Sequence, residues 1–124
     1  MQKIDENYIL LGLIWLIAGM VFGIWMGINQ KFGYAESHAH ANLVGFVVSV
    51  LFGLTYRAFP SMKNSRLAAA QFWIYTLGAA LLVAGKVNYD TNGSETLVKG
   101  GSVVIIAGAL LMLAVFIRDR QPKA

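Results

Sequence analysis

Two histidines stand two residues apart in Ser37-His38-Ala39-His40-Ala41-Asn42, and the chain has no others. Imidazole exchanges a proton near neutral pH and ligates metals through either ring nitrogen. A helix turns about 100° per residue, so side chains two apart point to nearly opposite sides. On a helix, His38 and His40 therefore cannot both grip one ion held against a single face. Each ring looks towards its own partner. Zinc or copper bound through this pair alone is poor chemistry. Zinc takes three or four ligands, and the chain offers no third histidine and no cysteine. A haem brings four nitrogens of its own and asks for one or two axial side chains. Opposed imidazoles thus suit two separate haem contacts. Haem b is the expected type, because covalent attachment would need cysteines.

The elements that must hold such a pair are apolar. The 124 residues, enough for one domain, are 57% hydrophobic and 13% charged, which marks a membrane protein rather than a soluble one. The net charge of +4 fits anchoring lysines and arginines at a membrane surface. These cations are scattered over several loops without forming a stripe, which argues against nucleic acid as a partner. Tyr8 to Ile28 is an uncharged run of 21 residues. At about 1.5 Å per residue it crosses the roughly 30 Å hydrocarbon layer. It exceeds a signal-peptide core in length and is expected to be retained. Gly12, Gly19, Gly23 and Gly27 share one side of it and should let another helix approach closely.

The second helix is expected over about 38–59. Glu36 and Ser37 suit its start, and Pro60 stops it. The third is expected over about 67–87, followed by the turn cluster Asp90-Thr91-Asn92-Gly93-Ser94. The fourth covers about 101–117. The fold class is therefore an all-α membrane protein, a single domain over 1–124, built as a four-transmembrane-helix antiparallel bundle. Lys3, Arg57, Lys63, Arg66, Arg118, Arg120 and Lys123 fall on one side, against Lys31, Lys86 and Lys99 on the other. The positive-inside rule then makes both termini cytoplasmic and puts the histidine pair near the outer face.

An imidazole inside a bilayer is costly and is usually turned inward or functional. Asn42, four residues after His38, can orient that ring, as metal-bound histidines need a further partner. Haem propionates need cationic partners near water. Lys86, at the outer end of the third helix, is the best-placed candidate. The candidate cofactor site is thus His38, His40, Lys86 and Asn42, with His38 and His40 as the metal ligands.

His38-Ala39-His40, then Gly45, Gly53, Tyr56, Phe59-Pro60 and Met62, resembles the tenth transmembrane helix of the catalytic subunit of haem-copper oxidases, a family that includes the nitric oxide reductases. The likeness runs without gaps from His38 to Met62, with the glycine after the pair displaced by one place. It implies that His38 matches the ligand of the high-spin haem and His40 that of the low-spin haem. Lys86 to Asp90 weakly resembles the basic loop whose arginines hold propionates there. The family's three-histidine copper site has no counterpart, which argues against full oxygen reduction by this chain. That catalytic subunit has twelve helices in three four-helix arcs, and this chain has the length of one arc. The resemblance therefore implies a homotrimer in the bacterial inner (plasma) membrane, with haem b at the seams, for electron transfer or for sensing haem or gas. The alternatives are a cofactor-free structural or assembly subunit and a small transporter. The transporter reading suffers because no acid is expected inside a span: Asp5, Glu6, Glu36, Asp90, Glu95 and Asp119 all fall outside those helices.

Overall fold

The computed structural model describes residues 2–122, so Lys123 lies outside the described residues. Helix α1 covers Ile4–Asn29. It ends where Gln30 turns left-handed (φ 53°), with the Gln30 and Lys31 amides folding back onto the Gly27 and Met26 carbonyls. A second span, Phe32–Ala58, opens with a 3₁₀ turn at Phe32–Tyr34 and continues as α2, Ala35–His40. It then widens into a π-helical segment, Ala41–Val47, and resumes as α3, Val48–Ala58. Pro60 ends it as expected, with Phe59 leaving the helical region at φ −125° and ψ 74°. After a 3₁₀ turn at Pro60–Asn64 come α4, Ala68–Asn92, and α5, Thr96–Asp119. All four spans are long and apolar enough to cross a membrane, which makes the chain an integral membrane protein.

Several helix ends depart from the expected ones. The α-helical part of the second span begins at Ala35, earlier than Ser37, and no side chain caps it. The Ser37 hydroxyl instead donates to Asp90. Helix α4 runs through Asp90, Thr91 and Asn92, because Thr91 Oγ1 donates to the Val87 carbonyl and Asn92 Nδ2 to Asn88 Oδ1. Gly93, at φ +75°, closes the helix with its amide on the Tyr89 carbonyl. These longer helices take in Asp5, Glu6, Glu36, Asp90 and Asp119, so the expectation that every acid lies outside the spans is corrected. Each sits near a helix end, where a partner or the membrane surface can hold its charge.

The helices pack in two pairs, α4 with α5 and α1 with the second span. In the α4–α5 pair the backbones touch: a Cβ on Gly78 would stand 2.6 Å from Ile105, and one on Gly101 2.6 Å from Leu82. Glycines at those points let van der Waals contact do the work that water exclusion does in soluble proteins. In the other pair, the glycine side of α1 packs on the second span of its own chain. Gly12 faces Val50, Gly19 faces Asn42 and Gly23 faces His38, while Gly27 has open space. Where the chain was expected to use that ladder on an unspecified helix, it uses three of the four glycines internally.

The two pairs share a buried core at one end. Ile4, Tyr8, Tyr56, Met62, Phe72 and Tyr75 are buried together there. At the centre of that cluster the fully buried Gln71 Oε1 accepts from Tyr8 (2.8 Å) and Tyr56 (3.0 Å), and Gln71 Nε2 donates to the Gly108 carbonyl (3.2 Å). Asp5, also buried, is held by Lys63 at 3.0 Å and Arg57 at 3.3 Å. The large buried side chains gather at this end, and a groove opens towards the histidine end.

Candidate functional site

His38 is half-buried and lies on α1. A Cβ on Gly23 would stand 3.0 Å from its Cε1, and the Phe22 ring meets it edge-on at 6.1 Å. Asn42 Nδ2 donates to His38 Nε2 at 3.3 Å. His38 Nδ1 and Asn42 Oδ1 are both buried with no hydrogen-bond partner. Exchanging the amide atoms would reverse the donor and still leave Nδ1 unpaired. Each buried, unpaired polar atom costs about 1–3 kcal/mol. Two of them side by side mark a place where packing has not satisfied the chemistry.

His40 has a different setting. Its Nδ1–H donates to the Glu36 carbonyl at 2.8 Å, one turn back. That bond fixes the ring and leaves Nε2 as the free lone pair, the arrangement in which histidines bind metals. The expected divergence is present: His38 lies towards α1, whereas His40 shares its face with Glu36, whose carboxylate reaches α4.

Lys86 of α4 is buried, with Nζ 2.7 Å from Glu36 Oε2 and 3.7 Å from Asp90 Oδ1. It also lies over the Tyr89 ring, 4.8 Å from the centroid. Ser37 Oγ donates to the other Asp90 oxygen at 2.5 Å, and Tyr34 OH donates to Thr91 Oγ1 at 2.7 Å. This strap ties the start of the second span to the end of α4. The expected propionate partner is therefore already engaged by two carboxylates.

Beside His38 and Asn42 a groove of about 600 Å³ opens on the bundle surface. Its other walls are Leu16, Met20, Gly23 and Ile24 of α1, with Phe46 and Val47 of the second span. The lining is apolar apart from His38 and Asn42. His40 has Nε2 available to a metal as it stands. His38 has its own on exchanging one long hydrogen bond from Asn42 for a metal bond. Neither Lys86 nor His40 lines this groove, so of the four candidate residues it brings together only His38 and Asn42; Lys86 lines a separate recess with Glu36 and Tyr89, and His40 lines neither. Among the described residues no three His, Cys, Asp or Glu side chains converge on one point.

Three features stand outside the sequence-based expectations: Gln71, the hydroxyl of Tyr75, and the π-helical turn after the histidines. A lone glutamine inside an apolar span is a signal that could have been read. Burial of an amide in a membrane demands partners. Compared with known proteins, the chain matches no family model, no curated protein and no solved structure.

Proposed function

We propose that this chain is a haem b-binding integral membrane protein in which His38 and His40 are axial ligands to different haems. The reading takes the chain as one four-helix arc of a homotrimer in the bacterial inner membrane, both termini cytoplasmic. Each seam holds one haem between His38 of one copy and His40 of the next, since closed rings are built from head-to-tail interfaces. Bis-histidine iron is saturated and suits electron transfer or haem sensing; loss of one ligand opens a position for a diatomic gas. Lys86 reaches a propionate only by giving up Glu36, so the anchoring of the haem edge is shared with that ion pair.

One observation carries the reading. An apolar groove of about 600 Å³ has His38 and Asn42 as its polar lining, and each keeps a buried atom without a partner. The test is an absorption spectrum, oxidised and reduced, of protein purified from haem-replete cells, beside the mass of the intact assembly. A Soret band lost in the His38→Ala/His40→Ala double variant supports the reading, and a trimer mass supports the seam. Colourless monomer overturns both. A carbon monoxide difference spectrum of the reduced protein separates saturated from open iron.

The close seating of His38 on Gly23 favours a second reading, a cofactor-free structural or assembly subunit in which His38 is a packing residue. Colourless protein whose stability falls in His38→Ala selects it.

A further inference from the structure

The second span changes pitch directly after the histidines. Across Ala41–Val47 the backbone bonds reach one residue further than in an α-helix. At the end of this segment the Val48 amide donates to the Leu43 carbonyl. In an α-helix that amide belongs to the Val44 carbonyl. Val44 therefore loses its usual donor inside a span, where no water is at hand and an unpaired carbonyl is costly. The Tyr75 hydroxyl of α4 fills the gap at 2.8 Å.

Tyr75 delivers that hydroxyl from the rigid part of the bundle. It is buried, its ring meets Phe52 edge-on at 4.8 Å, and its backbone lies against Gly108 of α5. The α3 half of the second span is also fixed, because Gly53 packs on Tyr8 and the Asp5 carbonyl of α1. A turn that takes in one extra residue rotates the N-terminal part of a helix against its C-terminal part by about one helical step of 100°. His38 and His40 stand on the N-terminal part. With α3 held still, the wide turn sets where the imidazoles point.

We propose that Tyr75 is a positioning residue for the histidine pair: by occupying the Val44 carbonyl it holds the wide turn, and so holds the directions of His38 and His40. The proposal rests on reading the histidines as the working groups of the chain, yet it is testable without haem. The full chain is placed in lipid nanodiscs with ring-¹⁵N histidine and carbonyl-¹³C valine. Wild type is compared with Tyr75→Phe, and with Tyr8→Phe, which removes another buried hydroxyl, one bonded to Gln71 and not to the turn.

In Tyr75→Phe the Val44 carbonyl resonance and the ring resonances of both histidines shift or broaden, and the hydrogen-bonded His40 Nδ1–H signal weakens. In Tyr8→Phe they stay where the wild type has them. In haem-loaded protein, Tyr75→Phe alters the low-spin electron paramagnetic resonance signal at unchanged haem content. Wild-type resonances in Tyr75→Phe overturn the proposal, as do equal shifts in Tyr8→Phe. If Tyr75→Phe does not fold, the wild type decides: a Tyr75 hydroxyl proton that exchanges freely with solvent overturns the proposal, and a protected one close to Val44 supports it. Colourless wild type sinks the haem reading alone, and these resonances still decide the role of Tyr75.

Discussion

His38 rests on Gly23, its imidazole edge 3.0 Å from the place where a Cβ would stand. That contact is between a hydrogen atom and a ring, and no larger residue reproduces it. Asn42 and Gly19 repeat it one turn along, more tightly. The position of the candidate ligand is thus set by what α1 lacks.

Gly23→Ala should displace the ring by a few tenths of an ångström, and Gly19→Ala should expel the Asn42 amide. Overpacking of this kind costs about 1–3 kcal/mol. Gly27→Ala, on the same ladder but facing open space, should be neutral. Reversible unfolding of the three variants in mixed micelles checks the order: Gly19→Ala worst, Gly23→Ala next, Gly27→Ala unchanged. Equal effects at all three would remove the argument for the cradle.

Gln71→Leu should be among the most destabilising single changes in the bundle. It strands the Tyr56 hydroxyl, leaves the Tyr8 hydroxyl only its 3.4 Å bond to the carbonyl of residue 71, and takes a donor from the Gly108 carbonyl. At about 1–3 kcal/mol for each buried group left unpaired, the loss should exceed that of Tyr8→Phe, which removes one interhelical bond worth about 0.6–2 kcal/mol. A double-mutant cycle between Tyr8→Phe and Gln71→Leu should show coupling, and additive effects would count against the network.

Lys86→Met leaves the Asp90 carboxylate, buried with 8% of its side chain exposed, with Ser37 in place of a counter-charge. Removing one member of a buried pair costs about 3 kcal/mol. Glu36→Gln should cost far less, because 74% of the Glu36 side chain is exposed. The difference should survive high salt, since the Lys86–Asp90 pair is shielded from it. Similar losses in both variants would show that the strap depends on Glu36 and not on Asp90.

Asn42→Ala removes a 3.3 Å hydrogen bond and, with it, the unpaired Oδ1. The two effects oppose each other, so stability should change by less than about 1 kcal/mol. The His38 ring should nevertheless gain motion, read as narrowed, averaged ring resonances. An unchanged ring would show that Gly23 and Phe22 hold it without Asn42.

Hydropathy made all four spans legible, because a run of about 20 apolar residues admits few other meanings. Pro60 was legible for a local reason too, the backbone restriction it places on Phe59. Asp90, Thr91 and Asn92 read as a turn, yet their side chains bond to their own helix or to Ser37, and α4 continues through them. The wide turn at Ala41–Val47 left no trace, since those residues are as apolar in one pitch as in the other. The Gln71 partners lie 63, 15 and 37 residues away, beyond the reach of any local pattern. Lys86 stood out as a charge in an apolar helix, but its tie to Glu36, 50 residues away, exists only once the second span lies beside α4.

The crowding of the core at the Pro60 end leaves the molecule lopsided. Tyrosines and glutamine bolt one half into a stiff foot, while the other half carries a recess in the flank of its first helix pair. Mild heating or detergent should loosen the upper half first and leave the foot intact, so amide exchange at Phe22 should outrun that at Tyr8. A guest entering the recess would then need to pry open only the half that already yields.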